Sequence, residues 1–457
     1  MNNSNSSKFI SAIYRPVDIA GLVYVRIVFG LIMLWEVWRY FEHNRVYRYW
    51  IEPEYHFPYP GFEWLSPLPG DGMNYLFVGL GLMSVLIILG LFYRVAAALF
   101  SIGFIYMFLL EQGRYLNHFY LVCLLSFLVI FLPANRAFSL DSRFGWTRRS
   151  DTCPAWTIWL LRFQMGVVYF FGGIAKINSD WLAGEPLRDW LGGRADKPVV
   201  GEYLTSEFVV MTLSWGGMLY DLLIPFLLLW RPTRIPAFLV TLFFHLSNAF
   251  LWNIGIFPWF SIAMSAVFFA PSWPRKLFFL PKVGIPPALP LPRHALLATV
   301  LLSAFCLSQV TIPLRHWVYP GAVVWTEQGH RFSWRMKLRS RDGLTNFHLI
   351  EKDTGRIHSI DPYEYLEPWQ VEETDTNPDM MLRFARILKD DFKEKHGKEV
   401  SVHAHSVISI NGRPDQTYFS AELDLTEITA WDLRHRWMYP FSKNREPAPE
   451  SNSLVLD

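Results

Sequence analysis

The sequence has little charge and few cysteines for its length. Charged residues make up 18% of its 457 residues, against about 25% in an average soluble protein. Hydrophobic residues reach 52% and aromatic residues 17%. The three cysteines lie in apolar segments or in a basic loop, so they offer no evident disulfide framework. The net charge of +2 gives no reason to expect a nucleic-acid partner, and the composition favours a membrane protein.

The sequence also lacks the short motifs of several common enzyme classes. It contains no P-loop, no GxGxxG, no HExxH and no GxSxG elbow. His403 and His405 would share one face of a predicted strand, but no cysteine or clear third ligand accompanies them. A structural role is therefore favoured for the two histidines, and we expect no metal site.

Apolar segments long enough to cross a bilayer recur through the first two thirds of the chain and then stop. They cover approximately residues 17–41, 74–93, 95–110, 116–133, 156–177, 208–230, 235–252, 255–271 and 294–312. The third and eighth are short, which leaves kinked or partly re-entrant segments as an alternative. We predict an α-helical polytopic membrane protein with about nine transmembrane helices, the first of them retained rather than cleaved as a signal peptide.

Three parts are predicted along the chain. Residues 1–16 form a cytoplasmic tail, residues 17–313 the transmembrane helical domain, and residues 314–457 an extracytoplasmic α+β domain rich in β-strands. Alternating segments at 332–338 and 402–410 predict strands. Asn377 and Pro378 predict the start of a helix, and Gly397 predicts its end.

The basic residues between the predicted spans decide the orientation. More arginines and lysines lie on the N-terminal side of the membrane than in the short loops opposite. By the positive-inside rule, the N-terminus is cytoplasmic and the C-terminal domain is extracytoplasmic. The outer side has no Asn-x-Ser/Thr sequon, which favours a bacterial plasma membrane over the endoplasmic reticulum.

Charged residues within the spans are costly unless they are paired or functional. Arg162 and Asp221 lie at similar distances from the cytoplasmic ends of the fifth and sixth spans. This spacing predicts a structural ion pair between the two helices. Arg26 and Glu36 in the first span suggest similar structural roles, with partners that the sequence does not identify.

A second set of polar residues gathers at the outer ends of three spans: Asn117, His118, Lys176 and His245. Each has a structural alternative, because a lysine can anchor to headgroups and a histidine can cap a helix or bond a carbonyl. Their clustering beneath one extramembrane domain favours a functional site. Desolvation can remove the proton of Lys176, and a neutral amine is a base.

Ordered motifs across the chain resemble those of the vitamin K-dependent gamma-carboxylases, whose membrane part is the HTTM domain. They are LNHFYL at 116–121, GGIAKI at 172–177 with Asp180 and Trp181, WGG at 215–217 with Asp221, FH at 244–245 with Asn248, IGIF at 254–257 and SWPRKL at 272–277. The resemblance covers about 19–277 and continues more weakly through Trp334 and 418–440. It suggests a short, bacterial-type homologue with an HTTM-like domain at 17–313.

The resemblance implies a mechanism and its cofactors. In the family, a neutral lysine, here Lys176, deprotonates reduced vitamin K. The hydroquinone then reacts with O2, and the resulting strong base removes a γ-proton from glutamate. The carbanion takes up CO2, and the quinone leaves as its 2,3-epoxide. Asn117 and His118 would position or stabilise oxygenated intermediates, and His245 would support them. The implied partners are the lipid bilayer and a Glu-containing peptide or protein.

The segment from Phe332 to Arg341 resembles the part of the family that helps hold the glutamate. It implies substrate-binding roles for Trp334, Arg339 and Arg341, since two guanidiniums can bind a carboxylate bidentately. We also expect the nearby His330 to bind substrate. A solvated hairpin face remains the alternative for the two arginines.

The sequence also departs from vertebrate members of the family. It has Ala175 where they have a second lysine, and Arg339 where they have a histidine. It is shorter at the C-terminus and cannot form their disulfide between an outer loop and the outer domain.

Three hypotheses therefore remain open. The first is a quinone-dependent epoxidase and carboxylase. The second is a quinone epoxidase or oxidoreductase that does not carboxylate glutamate. The third is a non-catalytic membrane protein that binds a lipid or quinone. Absence of internal symmetry and of matched broken helices weakens a transporter interpretation.

Overall fold

The computed structural model describes residues 10–198, 200–252, 254–287, 291–429 and 437–443. The parts of the predicted tail and C-terminal domain at 1–9, 430–436 and 444–457 lie outside these residues. Among the described residues from Ala20 onward, fourteen α-helices precede the C-terminal domain. In chain order they are α1 (Ala20–Glu42), α2 (Gly72–Leu89), α3 (Tyr93–Leu109), α4 (Asn117–Phe131), α5 (Leu140–Arg143), α6 (Trp156–Ala175), α7 (Ser179–Leu182), α8 (Leu187–Gly192), α9 (Gly201–Leu204), α10 (Glu207–Leu229), α11 (Arg234–Leu251), α12 (Phe257–Ser265), α13 (Trp273–Leu277) and α14 (Ala295–Leu314).

Each predicted span coincides with one apolar helix. Within the described ranges, α1, α2, α6, α10, α11 and α14 are long and apolar enough to cross a membrane. Helices α3, α4 and α12 are shorter apolar helices at the third, fourth and eighth predicted spans. A polytopic helical membrane protein is therefore supported, whereas the total of nine crossings stays a prediction.

A close glycine contact sets the register between the antiparallel helices α6 and α10. A Cβ on Gly173 would lie 2.7 Å from the backbone nitrogen of Leu222, and one on Gly166 would lie 3.7 Å from Pro225. Only glycine allows this approach at residue 173. The outer end of α6 therefore lies level with the middle of α10, which extends further outward.

This register shows that the predicted ion pair between Arg162 and Asp221 is wrong. Arg162 lies beyond the level of Pro225, near the other end of α10. Its Nε donates to the carbonyl of Val267 and its Nη2 to that of Phe269, both at 2.8 Å. The guanidinium thus satisfies carbonyls that a helix end leaves without intrahelical partners.

The two charged residues predicted to be structural in α1 have a distant and a local partner respectively. Arg26 donates to the carbonyls of Ala134 and Ala137 at 2.7 and 3.2 Å. Glu36 accepts from Arg39 at 2.6 Å. At the N-terminal end of α1, strands β1 (Pro16–Asp18) and β2 (Thr152–Pro154) pair antiparallel.

The C-terminal domain is an antiparallel four-stranded sheet covered by helices. Its strands are β3 (Arg341–Glu351), β4 (Ile357–Ile360), β5 (Val400–Ile410) and β6 (Gln416–Thr417), in the order β4-β3-β5-β6. Its helices are α15 (Val323–Thr326), α16 (Pro368–Thr374) and α17 (Pro378–His396). The apolar side chains of α17 pack with the sheet in a separate hydrophobic core. The predicted helix start at Asn377 and the predicted strand at 402–410 are confirmed.

The strand predicted at 332–338 is wrong, because this segment consists of one turn, a bend and irregular backbone. Phe332, Trp334 and Lys337 adopt left-handed backbone angles, with φ of 62°, 57° and 51°. Such angles cost free energy for residues other than glycine and interrupt strand geometry. The alternation of apolar and polar residues at 332–338 therefore gave a wrong prediction of a strand.

Contacts from two outer loops hold the C-terminal domain against the helices. Phe57 is fully buried in the core of the C-terminal domain. The Glu111 carboxylate accepts from the backbone nitrogens of Phe57 and Gly113 at 3.2 and 3.0 Å. After α6, Asp180 accepts two hydrogen bonds from Arg413, at 2.6 and 2.8 Å. The outer ends of the helices are therefore fixed beneath this domain.

Candidate active site

A cavity of about 1200 Å³ lies between the outer ends of the helices and the C-terminal domain. Lys176, Tyr169 and His245 line its part between the helices. Arg335 and Arg339 line its part beneath the C-terminal domain. One cavity therefore joins a chamber between the helices with a cationic chamber beneath the C-terminal domain.

Lys176 follows the last residue of α6, and its side chain is 8% exposed. Its Nζ lies 2.5 Å from Asp221 Oδ2 on α10 and 3.2 Å from the carbonyl of Gly172. The ring of Trp181 lies 5.3 Å from the same nitrogen. These contacts hold the amine at the cavity wall in an ion pair shielded from water.

His245 on α11 is buried beside a hydroxyl pair. Its Nε2 shares a hydrogen bond with Tyr169 Oη at 2.9 Å, and Tyr169 Oη also lies 2.9 Å from Ser265 Oγ. No described residue bonds the Nδ1 atom of His245, although the side chain lines the cavity. A buried ring nitrogen without a partner is costly unless a ligand or water satisfies it.

Asn117 opens α4 and connects it to the C-terminal domain. Its Oδ1 accepts from Tyr115 Oη at 3.0 Å, and its Nδ2 donates to the carbonyl of Arg335 at 3.3 Å. Tyr115 Oη in turn accepts from the backbone nitrogen of Phe332 at 2.7 Å. Asn117 thus orients the loop above the cavity. The neighbouring His118 lies against Phe257 with ring centroids 5.8 Å apart.

Residues 327–341, here called the arginine loop, form the upper wall. Glu327 binds Arg339 at 2.5 Å and Arg341 at 2.7 Å. Arg339 Nη1 also donates to His330 Nε2 at 2.9 Å. Since a guanidinium only donates, His330 accepts at Nε2 as a neutral imidazole with its proton on Nδ1. Burial, followed by the charge of Arg339, holds the pKa of His330 well below its ordinary value.

Two residues predicted to bind substrate lie outside the cavity lining. Trp334 is 1% exposed, and its ring lies 4.9 Å from that of Tyr120. Arg341 is directed to Glu327 and to the carbonyl of Val324, at 2.9 Å. Both side chains therefore support the arginine loop without lining the cavity.

Comparison with known families covers nearly the whole chain. The HTTM domain family matches residues 14–273, and the vitamin K-dependent gamma-carboxylase lumenal domain family matches residues 294–444. The chain belongs to the vitamin K-dependent gamma-carboxylase family. No solved structure matches it. Membership indicates use of vitamin K hydroquinone, O2 and CO2 and action on Glu-containing proteins, and the lumenal match indicates an extracytoplasmic domain.

In this gamma-carboxylase family member, six of the eight residues predicted to be catalytic or substrate-binding line one cavity. They are Asn117, His118, Lys176, His245, His330 and Arg339. The catalytic and substrate-binding roles assigned to them stay predictions. Among the described residues, no three His, Cys, Asp or Glu side chains form a candidate metal site.

Sequence reasoning missed three side chains at this site: Asp221 as the partner of Lys176, Glu327 as the acceptor between two arginines, and Arg335 in the cavity wall. The pairing of Lys176 with Asp221 could have been predicted from the charges in the spans. Lys176 and Asp221 are opposite charges in two successive spans, and a buried charge requires a partner. For Glu327 and Arg335 the sequence contains no comparable signal.

Proposed function

We propose that the protein is a vitamin K hydroquinone-dependent gamma-glutamyl carboxylase. It would couple oxidation of the hydroquinone by O2 to removal of a γ-proton from protein glutamate and addition of CO2. One observation carries this proposal beyond family membership. A single cavity joins a buried lysine and two histidines between the helices with a cationic loop in the C-terminal domain.

The cavity suits both co-substrates. Its volume of about 1200 Å³ exceeds the roughly 300–1,000 Å³ of typical ligand pockets. Leu213 on α10 and Phe243 on α11 line it and are also exposed, Phe243 by 74%. We propose that the hydroquinone and its apolar tail enter between these helices from the bilayer. When bound, the hydroquinone supplies the driving force for γ-proton removal through its oxidation to the 2,3-epoxide.

In the proposed mechanism, Lys176 is the base that deprotonates the hydroquinone. Its ammonium must first lose a proton, and Asp221 Oδ2 lies within hydrogen-bond distance to receive it. Transfer from Nζ to Oδ2 converts an ion pair into a neutral amine and a neutral acid. The pair has zero net charge before and after the transfer, so this step adds no uncompensated charge to the low-dielectric interior. The neutral Nζ then accepts a proton from a ring hydroxyl.

The remaining residues orient and enclose the reactants. His245 Nδ1, which lacks a partner among the described residues, would bond one ring oxygen, and Tyr169 would fix the imidazole through Nε2. His118 would contact the ring from α4. Asn117 acts through the arginine loop, because both ends of its amide are bonded to groups that position this loop. Burial of the site excludes water, which would quench a strong base.

We further propose the orientation given by the basic residues. The N-terminus faces the cytoplasm, and the C-terminal domain lies outside a bacterial plasma membrane. Peptide substrate then approaches the cationic part of the cavity from the aqueous outer side.

The test compares the wild type with Lys176→Met and with the double variant Lys176→Met/Asp221→Asn. The double variant removes the amine without leaving a buried carboxylate unpaired. Purified proteins in lipid nanodiscs receive reduced vitamin K, O2 and labelled bicarbonate, with or without a Glu-containing peptide. Both variants should lose epoxide formation by at least about 100-fold, the lower end for a general base. Lys393→Met, at an exposed lysine, is the control.

Two results would change the proposal. Absence of epoxide with the wild type, or wild-type epoxide formation by the double variant, would refute the assigned chemistry. Epoxide formation without label in the peptide would instead favour a hydroquinone epoxidase that does not carboxylate.

A further inference from the structure

The arginine loop contains one arginine that differs from its neighbours. Arg331 pairs with Asp379 at 3.1 Å, and Arg339 and Arg341 both pair with Glu327. Within the part of the chain that the structure describes, the Arg335 guanidinium has no ion pair and no hydrogen bond, and its buried Nε lacks a partner. Yet Arg335 is only 8% exposed and lines the cavity.

Burial of an unpaired guanidinium requires an explanation. Such a charge is costly to remove from water, so protein interiors normally provide a carboxylate. Desolvation lowers the pKa of Arg335 to about 10, with partial compensation from the charge of Glu327. The group therefore keeps its positive charge at neutral pH. A cavity whose wall holds a buried guanidinium without a direct ion pair among the described residues is suited to an anionic ligand.

The backbone around Arg335 is fixed against the proposed base. The Asn117 amide donates a hydrogen bond to the carbonyl of Arg335. The preceding residue, Trp334, has a left-handed backbone conformation. Met336 Cε would lie 3.1 Å from a Cβ on Gly172. The carbonyl of Gly172 in turn accepts from Lys176 Nζ. The loop that carries Arg335 thus rests on the helix turn that carries Lys176.

We propose that Arg335 binds the side-chain carboxylate of the glutamate substrate. Its planar fork fits two carboxylate oxygens, as Arg413 demonstrates with Asp180 in the same chain. The identity of the anion rests on the proposed carboxylase function. The assignment replaces Arg339 and Arg341, because both guanidiniums already share an ion pair with Glu327 and Arg341 lies outside the cavity lining.

Peptide binding measured without hydroquinone tests this assignment. A fluorescent peptide with one glutamate and its glutamine counterpart are titrated against the wild type, Arg335→Gln and Arg335→Lys in nanodiscs. Arg356→Gln, at an exposed arginine of the same domain, is the matched control. The wild type and the control should prefer the glutamate peptide. Arg335→Gln should bind it about 10- to 100-fold more weakly and lose the preference, while Arg335→Lys should keep part of it.

Thermal unfolding gives an independent readout. Because Arg335 is unpaired in the protein without peptide, Arg335→Gln should unfold at the same temperature as the wild type or higher. A clear loss of thermal stability would show that the charge is paired internally and would overturn the proposal. So would an unchanged glutamate preference in Arg335→Gln, or no preference in the wild type. Selective binding through Arg335 without epoxide formation would refute the carboxylase function alone.

Discussion

The ion pair between Lys176 and Asp221 gives a quantitative prediction about stability. The two side chains are 8% and 6% exposed, and Asp221 has no other hydrogen-bond partner among the described residues. Removal of the lysine therefore leaves a carboxylate buried without compensation. Lys176→Met should lower the free energy of unfolding by about 3–5 kcal/mol, the usual range for breaking a buried pair.

The reverse change should cost less. In Asp221→Asn, the ammonium keeps the carbonyl of Gly172 and the ring of Trp181, and the asparagine oxygen can still accept a hydrogen bond. We expect a loss of about 1.5–3 kcal/mol, the range for one charged hydrogen bond. The double variant Lys176→Met/Asp221→Asn replaces the pair with neutral groups of similar size and should cost only about 0–2 kcal/mol. The two changes should therefore be coupled by at least about 2.5 kcal/mol.

Equilibrium unfolding in mixed detergent micelles, followed by tryptophan fluorescence, measures the four proteins of this cycle. The control cycle uses Lys393 and Glu399, which are 2.6 Å apart but 61% and 51% exposed. Exposed pairs couple by less than about 1 kcal/mol. Additive losses at Lys176 and Asp221, with no greater coupling than the control pair, would refute the buried ion pair.

Three further predictions concern other contacts. Burial raises the pKa of the Glu111 carboxyl to about 8, so the folded protein binds this proton more tightly than the unfolded chain. The contribution of Glu111 to the free energy of unfolding is therefore complete below about pH 4.5. It falls by about 1.4 kcal/mol per pH unit up to about pH 8. Glu111→Gln should flatten the melting temperature across this window, and parallel wild-type and variant profiles would contradict it. Arg413→Gln should lower the free energy of unfolding by about 1.5–3 kcal/mol, because Asp180 loses its bidentate partner but keeps the hydrogen bond from Asn411 Nδ2 at 2.8 Å. Denaturant titration with Arg356→Gln as the reference checks this, and equal stability would contradict it. Gly173→Ala should cost about 1–3 kcal/mol and reduce epoxide formation by forcing Leu222 away, whereas unchanged stability and activity would refute the close helix contact.

The sequence predicted the elements of this fold better than their contacts. Apolar segments located all six of the described helices that are long enough to cross a membrane, since hydrophobic length is a local property. The predicted partner of Asp221, Arg162, was wrong because the depth of each residue in the membrane was counted from the end of its own helix. This count assumed that α6 and α10 end at the same level. The contact of Gly173 with Leu222 shifts the two helices, and no local pattern encodes that shift.

For the site, the sequence predicted several residues that lie close together, but not the contacts that each of them makes. Motifs at Asn117 and Lys176 correctly pointed to residues that line one cavity. Within the arginine loop, the strand prediction at 332–338 was wrong. The alternation of apolar and polar residues there accompanies left-handed backbone conformations, such as that of Trp334. Which arginine stays unpaired depends on where Glu327 and Asp379 fold, and this is a tertiary property.

Phe57 carries a consequence for how the chain can be divided. This residue belongs to the loop between α1 and α2, yet it is fully buried in the hydrophobic core of the C-terminal domain. The side-chain amide of Gln370 likewise donates to the carbonyl of Tyr55 at 2.8 Å. A fragment of residues 314–457 produced alone would lack a core aromatic and expose the apolar surface that surrounds it. The sequence boundary near residue 314 is therefore not a folding boundary, and soluble fragments need the 53–60 loop to be supplied as well.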